Sequence, residues 1–200
     1  MSKEFVSFET VRNNSLKLAR EIHEGGFEPD VVYVSLRGGA YVGNVMSEYF
    51  KVVHRGRRPV FYAAVVARSY TDIREQDLVM VDGWTYSPEY LRSGDKVLLI
   101  DDIFDSGNTI NHLVDIILRK GLPRSDVRVA VHDYKIRKYL PDNHLVHPDY
   151  YCRKHVIERP EDDHWIHYMS HELVGLTDRE IETNYRDDPD VAEILRTILQ

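Results

Sequence analysis

Apolar residues recur along this chain in two patterns that alternate. Short apolar runs bounded by glycine or polar residues predict buried strands at 31–34, 61–67, 96–100 and 127–131. Before and between them, apolar residues at helical spacing predict helices over 8–24, from after Gly39 to about residue 50, and over about 109–120. Ser7 is the expected cap of the first helix, and Gly25 with Gly26 is its expected stop.

This alternation predicts the fold class. Buried strands that alternate with helices indicate an α/β fold, a doubly wound, mostly parallel sheet with flanking helices. In such sheets ligands bind beyond the carboxyl ends of the strands. The loops that follow the predicted strands are therefore the places to look for chemistry.

Two segments interrupt the pattern. Residues 68–93 are polar and long for a connection, which predicts a mobile lid, with a hairpin or a disordered loop as alternatives. Residues 134–173 are rich in His, Tyr and Pro and predict a small irregular cap. We assign 1–176 to one domain and 177–200 to a C-terminal helical tail. The expected packing stripe of the tail is Val191, Ile194, Leu195 and Ile198.

Composition narrows the function classes. The chain has 200 residues, 42% of them apolar and 30% charged, as in ordinary globular proteins. A net charge of −7 argues against a nucleic-acid binder, and no apolar run approaches the roughly 18 residues of a membrane span. The single cysteine, Cys152, excludes an internal disulfide and suits a reducing cytoplasm. We expect a buried structural thiol there rather than a nucleophile.

The most informative segment is 97–109, which reads VLLIDDIFDSGNT. An apolar strand ends at Asp101 and Asp102, and a tight loop containing Gly107 leads into a helix. Backbone N–H groups at the start of that helix would cradle a phosphate. The two carboxylates beside it suit sugar hydroxyls or a hydrated magnesium ion. The segment thus predicts a ligand with a phosphate next to a polyol or a metal.

The same segment resembles the signature with which type I phosphoribosyltransferases bind phosphoribosyl pyrophosphate (PRPP). The resemblance implies that Asp101 and Asp102 hold the ribose hydroxyls, directly or through Mg²⁺. It implies that Asp105 lies near purine N7 as the general acid/base. The 5′-phosphate would be bound by the following four residues, Ser106, Gly107, Asn108 and Thr109. The family often has Glu at the first acidic position, so the side chain of Asp101 is one methylene group shorter than usual.

Two further segments resemble loops of the same family. Leu36 and Arg37, followed by Gly38 and Gly39, resemble the pyrophosphate loop, where Arg37 and backbone near Gly38 would meet the leaving group. Family members often have a cis peptide bond here, which sequence alone does not reveal. In the predicted lid, Ser69 and Tyr70 resemble the dipeptide that covers the pyrophosphate.

The segments 129–135, 148–151 and 163–166 resemble those of the 6-oxopurine enzymes, which use hypoxanthine, guanine or xanthine. By this resemblance Lys135 donates to purine O6, Trp165 stacks on the ring, and backbone near Ile166 meets the 2-position. A cation suits an oxo group and would repel an amino group. Glu172 falls where these enzymes place a ligand for a second magnesium ion. His164, His167 and His171 would form a zinc face on a helix, but their neighbours favour strand and loop.

The resemblance implies a magnesium-dependent 6-oxopurine phosphoribosyltransferase of purine salvage, a cytoplasmic homo-oligomer whose partners are PRPP and a purine base. No nucleic-acid or membrane partner is expected. One alternative is a phosphoribosyltransferase for another base, and a second is a PRPP- or nucleotide-sensing regulator on the same scaffold. A PRPP synthetase-like protein is disfavoured by the chain length.

Overall fold

The computed structural model describes residues 2–56, 59–70 and 78–199, with backbone alone at 68–70 and 78. The chain divides into two compact units. The larger unit is Val11–Asp162, and the smaller unit is Met1–Thr10 together with Asp163–Gln200.

The described residues form eight strands and five α-helices. The strands are β1 (Lys3–Val6), β2 (Val31–Leu36), β3 (Phe61–Tyr70), β4 (Leu78–Trp84), β5 (Val97–Phe104), β6 (Val127–Arg137), β7 (Tyr150–Ile157) and β8 (Trp165–Tyr168). The helices are α1 (Phe8–Glu24), α2 (Ala40–Val53), α3 (Asn108–Leu118), α4 (Asp178–Asn184) and α5 (Pro189–Ile198). None of these helices is long and apolar enough to cross a membrane.

The larger unit is built on a six-stranded sheet with the order β4-β3-β2-β5-β6-β7. Its strands are parallel except β4, which pairs antiparallel with β3 at one edge. The predicted mostly parallel sheet is confirmed.

Helices cover both faces of this sheet. Leu113 and Ile117 of α3 pack with Tyr33 in one core cluster, and all three are fully buried. On α2, Gly43 approaches Val34 so closely that a Cβ atom would lie 2.4 Å from its side chain. Because Tyr33 and Val34 are consecutive strand residues, they point to opposite faces. Helices α3 and α2 therefore lie on opposite faces, and the doubly wound arrangement is confirmed.

Helix α1 has the predicted bounds. Ser7 Oγ accepts a hydrogen bond from Thr10 N at 3.1 Å, which caps the first turn. Four residues of the apolar stripe are at most 2% exposed, namely Val11, Leu18, Ala19 and Ile22. Gly26, with φ of 81°, takes the left-handed conformation that stops the helix.

Two strands are longer than their apolar runs. Strand β5 continues through Asp101 and Asp102 to Phe104, and β6 continues through Lys135 to Arg137. Their pairing extends to Phe104 and Tyr134, so the sheet satisfies the backbone beyond the apolar residues. The structure thus differs from the predicted cap, because the end of β6 and all of β7 belong to the main sheet.

The predicted lid, 68–93, begins as the end of β3 and continues as β4, which returns antiparallel to β3. A short 3-10 helix, Pro88–Tyr90, follows. The hairpin alternative is therefore seen in the described residues. Residues 71–77 lie outside them, and a mobile lid stays a prediction.

The smaller unit contains a parallel pair of strands, β1 and β8, and the helices α4 and α5. Its apolar cluster includes Leu176, Ile181, Ala192 and Leu195. The predicted stripe of the tail was wrong except at Leu195. The other three members, Val191, Ile194 and Ile198, are 37–59% exposed. The buried face of α5 is instead the one that carries Ala192 and Leu195, which cluster with Ile181 of α4.

Candidate active site

The loop after β5 forms a cradle with the first turn of α3. Gly107 has φ of 76°, a left-handed conformation. A Cβ atom there would lie 2.4 Å from the Phe104 ring and 2.6 Å from the His144 ring, so the loop needs glycine. Asn108 N donates to Ser106 Oγ at 3.4 Å. The first N–H groups of an α-helix lack helical partners, and this end of α3 therefore suits a phosphate.

Asp101 and Asp102 form a buried acidic pair at the end of β5, each only 8% exposed. Burial, and next the neighbouring Asp102 carboxylate, raise the pKa of Asp101 well above its usual range. Two hard oxygen ligands crowded together in a buried position are a donor set that a divalent cation or sugar hydroxyls would stabilise. The residues therefore fit the Mg²⁺ expected from the sequence.

The predicted pyrophosphate loop lies against this pair. A Cβ atom on Gly38 would lie 2.3 Å from one carboxylate oxygen of Asp102 and 2.4 Å from the other. Gly39 is also confined, since a Cβ atom there would lie 2.7 Å from the Ser35 carbonyl oxygen. The peptide bond between Leu36 and Arg37 is cis. Arg37 is exposed, which leaves its guanidinium accessible to a ligand.

Asp105, the predicted general acid/base, is paired with two cations from β6. Arg137 Nη2 donates to Asp105 Oδ1 at 2.6 Å, and Arg137 Nη1 donates to the Asp105 carbonyl oxygen at 2.8 Å. Lys135 Nζ lies 3.4 Å from the same Oδ1. The structure therefore brings two of the predicted site residues together, Asp105 and Lys135. The analysis of the sequence missed Arg137, although its two-residue spacing from Lys135 places both on one strand face.

A cavity of about 670 Å³ opens beside these groups. Its walls include Asp105, Asn108, Lys135 and Arg137, together with residues 138–144 and His147. This volume is in the usual range for pockets that bind small molecules, roughly 300–1,000 Å³. Its convergent cations and aromatic walls suit an anionic or oxygen-rich ring ligand.

The segment 138–147 is tied to the phosphate cradle by two side chains that the sequence did not identify. His144 Nε2 donates to the Ser106 carbonyl oxygen at 2.7 Å, and its Nδ1 lies 2.8 Å from Asp142 Oδ1. The His144 contact holds the pKa of the Asp142 carboxyl below its usual range. From α3, Asn111 Oδ1 accepts from Val146 N at 2.8 Å.

A buried carboxylate joins β6 to β7. Asp133 Oδ1 accepts from Arg153 Nε at 2.7 Å and from His155 Nε2 at 2.6 Å, and Asp133 Oδ2 lies 2.6 Å from His132 Nδ1. Burial alone would raise the pKa of Asp133, but these hydrogen bonds hold it well below its usual range. The network fixes the strand that carries Lys135.

Three predicted site residues belong to the smaller unit. Trp165, on β8, is 49% exposed and is therefore accessible for stacking. Its Nε1 donates to Glu172 Oε2 at 2.8 Å, and His167 Nδ1 lies 3.4 Å from that oxygen. Ile166 is buried. The roles of Trp165, Ile166 and Glu172 towards ligands of the larger unit stay predictions.

The three spaced histidines lie on or near β8. Residues 165–168 form a strand, as expected, so the helical spacing of a zinc face is not realised. His164 Nε2 lies 3.2 Å from Glu4 Oε2, and His171 stacks on Tyr168 with ring centroids 5.3 Å apart. Burial lowers the pKa of His167.

Two further expectations concern the lid dipeptide and the single cysteine. The side chains of Ser69 and Tyr70 lie outside the described residues, so their contact with pyrophosphate stays a prediction. Burial, and next the Asp133 carboxylate, raise the pKa of the Cys152 thiol to about 12. A thiol with this pKa is a poor nucleophile at neutral pH, as expected for a structural cysteine.

The family model of the phosphoribosyl transferase domain matches residues 8–166. No curated protein matches the chain by sequence.

Several solved structures share the fold. The purine phosphoribosyltransferase of Pyrococcus horikoshii has a TM-score of 0.65 and 17% identity, over 88% of this chain and 99% of that one. A hypothetical protein from Neisseria gonorrhoeae with bound ppGpp has a TM-score of 0.62 and 17% identity, over 86% and 91%. The xanthine-guanine-hypoxanthine phosphoribosyltransferase of Helicobacter pylori has a TM-score of 0.55 and 18% identity, over 84% and 91%.

Proposed function

The chain belongs to the phosphoribosyl transferase domain family, and on this premise we propose that it transfers the phosphoribosyl group of PRPP to a 6-oxopurine. The products are pyrophosphate and the nucleoside monophosphate of hypoxanthine, guanine or xanthine. The observation that carries the proposal is the meeting of Lys135 and Asp105, 3.4 Å apart, at the mouth of the phosphate cradle. A donor for an oxo group and an acceptor for a ring proton are then next to each other.

The proposed reaction is a displacement at the anomeric carbon with inversion. Purine N9 attacks this carbon, the bond to the pyrophosphate oxygen breaks, and its electron pair leaves with pyrophosphate. A purine that carries its ring proton on N7 transfers that proton to the Asp105 carboxylate. Lys135 donates to O6, and Arg37 with backbone near Gly38 stabilises the negative charge that grows on the leaving group.

Mg²⁺ would be held by Asp101 and Asp102, with Glu172 proposed for a second ion, and would supply positive charge for the pyrophosphate. The side chains of this chain then set the geometry. Ser106, Gly107, Asn108 and Thr109 hold the 5′-phosphate, so that the anomeric carbon stays in line with the base. Trp165 stacks on the base, a contact worth roughly 1–3 kcal/mol.

Ser69 and Tyr70, on the predicted lid, would cover the pyrophosphate and exclude water from the reacting carbon. We also propose that the chain forms a homo-oligomer and that it is cytoplasmic. Light scattering of the purified chain tests the first.

A second candidate function is a nucleotide-binding regulator on the same fold. It is favoured by the likeness to the N. gonorrhoeae protein with bound ppGpp. The cations around the 670 Å³ cavity also suit a polyphosphorylated nucleotide.

The test is pyrophosphate release from PRPP and Mg²⁺ with hypoxanthine, guanine, xanthine, adenine and uracil in parallel. D105N removes the proposed acid/base. The control D187N changes an aspartate whose side chain is 98% exposed. We expect turnover with one or more 6-oxopurines, at least about a hundredfold lower in D105N and unchanged in D187N.

Other outcomes separate the candidates. Turnover with adenine or uracil alone would contradict the roles of Lys135 and Trp165. If no base is used but PRPP or ppGpp binds in calorimetry, the regulatory function is the correct one.

A further inference from the structure

A second cluster of metal-binding side chains lies at the opposite end of the sheet from the phosphate cradle. His23 is in the last turn of α1, Glu28 is in the loop that leads to β2, and His54 directly follows α2. One ligand atom from each residue lies within 4.8 Å of the other two. The six residues of β2 separate this cluster from Arg37, a distance of about 20 Å at roughly 3.3 Å per residue.

The backbone around this cluster favours a cation. Helices α1 and α2 both end here, and the free carbonyl groups of a helix C-terminus carry partial negative charge. His54 is itself the C-cap of α2, with its N–H donating to Phe50 O at 2.9 Å. Two helix ends therefore add their partial charges to the Glu28 carboxylate.

The imidazoles are oriented by aromatic neighbours. The rings of His23 and His54 have centroids 6.1 Å apart at an interplanar angle of 58°. The ring centroid of Tyr49 lies 6.2 Å from that of His23, and the ring centroid of Phe50 lies 6.1 Å from that of His54. An apolar wall of this kind limits the rotation of both rings and lowers the local dielectric constant, which strengthens binding of an ion.

His23 carries an independent sign of a missing ligand. Its Nδ1 is buried and has no hydrogen-bond partner in the part of the chain that the structure describes. A buried polar atom without a partner costs free energy, and such atoms call for an explanation such as an ion.

We propose that His23, Glu28 and His54 bind a zinc ion that joins the end of α1 to the end of α2. Two imidazoles and one carboxylate, with a fourth position for water, are a typical zinc set, whereas Mg²⁺ prefers oxygen ligands alone. In a tetrahedral site with bonds of roughly 2.1 Å, ligand atoms are about 3.4 Å apart. The distances between the three ligand atoms, now up to 4.8 Å, have to shrink by at most about 1.4 Å to reach this geometry.

The other histidine cluster of the larger unit is less suited. This cluster consists of Asp142, His144 and His147, and the ring nitrogens of both histidines already take part in hydrogen bonds. His144 Nε2 binds the Ser106 carbonyl oxygen at 2.7 Å, and His147 Nδ1 lies 2.8 Å from the Tyr134 hydroxyl. A metal there would have to displace these bonds, whereas Nδ1 of His23 has none to lose.

The experiment is a calorimetric titration of the chelator-treated full chain with ZnCl₂. A parallel titration with CoCl₂ reports coordination geometry by visible absorption. We expect one zinc site per chain, an intense cobalt spectrum typical of four ligands, and a rise in the midpoint of thermal unfolding with zinc. H23Q and E28Q should each weaken zinc binding at least about tenfold, since each removes one of three ligands.

Two variants serve as controls. H112Q changes an exposed histidine on α3 and should bind zinc like the wild type. D102N removes a carboxylate of the proposed magnesium site and should also leave this zinc site intact. Because Glu28 lies on a loop, E28Q tests the site even if H23Q does not fold.

The proposal is overturned if the wild type binds no zinc. It is also overturned if H23Q and E28Q bind zinc as tightly as H112Q, because the ion would then be elsewhere.

Discussion

Arg137 holds Asp105 at two points, donating to its carboxylate at 2.6 Å and to its backbone carbonyl oxygen at 2.8 Å. The first contact orients the side chain that we propose to be the acid/base. The second orients the backbone where the phosphate cradle begins. One side chain on β6 therefore couples the position of the proton acceptor to the shape of the cradle, and Arg137 is a positioning residue.

We expect R137A to lower kcat/KM for the 6-oxopurine about 10- to 100-fold. A hydrogen bond to a charged group is worth roughly 1.5–3 kcal/mol, which corresponds to this range. R137K should be intermediate, since it keeps the charge but loses the forked geometry. Steady-state kinetics at varied PRPP, with R119A as a control, measures the effect. Arg119 is a 75% exposed arginine of an i,i+4 pair, and equal kcat/KM for R137A and R119A would contradict this role.

Gly38 is confined by Asp102, and the second prediction uses this contact. In G38A a Cβ atom would lie 2.3 Å from a carboxylate oxygen, so the loop or the acidic pair has to move. Overpacking of this kind costs roughly 1–3 kcal/mol, and we expect at least a tenfold loss of PRPP affinity in calorimetry.

The matched control is G83A, because in the described part of the chain no atom beyond its two chain neighbours lies within 4 Å of a Cβ at Gly83. G83A should bind PRPP within about twofold of the wild type. If both variants bind PRPP like the wild type, the loop at Gly38 does not contact the ligand.

Gly107 combines a left-handed backbone with a crowded position, and a second glycine separates the two effects. Gly121 has φ of 91°, but among the described residues nothing beyond its chain neighbours lies within 4 Å of an added Cβ. A Cβ on Gly107 would lie 2.4 Å from Phe104. We expect G121A to lose about 1–2 kcal/mol of unfolding free energy from backbone strain. G107A should lose about 1–3 kcal/mol more from overpacking. Urea unfolding measures both, and equal losses would contradict the crowding argument.

The Glu180 carboxylate, in the smaller unit, makes the free energy of unfolding depend on pH in the acid range. The ammonium of Lys3, at 2.8 Å, and then the backbone N–H of Thr177 lower the pKa of Glu180 from 4.5 to about 2. Because the pKa is lower in the folded state, the unfolded state binds the proton first as pH falls. Stability from this group is therefore present above pH 4.5 and is lost between about pH 4.5 and 2.

We expect E180Q to flatten this part of the pH dependence of the urea midpoint. The control E182Q changes an exposed glutamate on the same helix and should keep the wild-type profile. Superimposable profiles for E180Q and the wild type would show that the pair does not contribute.

The sequence by itself determined those features whose causes are local. The apolar run of β5, the two aspartates after it and a glycine with positive φ specify strand, loop and helix within thirteen residues, 97–109. The bounds of α1 follow in the same way from Ser7, an apolar stripe and Gly26. In such segments, neighbours along the chain supply the hydrogen bonds and the steric limits.

Only the tertiary structure decided which distant side chains meet. Arg137 reaches Asp105 across 32 residues, and His144 reaches Ser106 across 38. These contacts depend on strand register, on strands that extend past their apolar runs, and on the path of the segment 138–147. The face of α5 is a similar case, since Ala192 and Leu195 are buried in a cluster with Ile181, whereas Ile194 and Ile198 stay exposed. The physical reason is that burial and pairing are properties of surfaces brought together by folding, which local propensity does not specify.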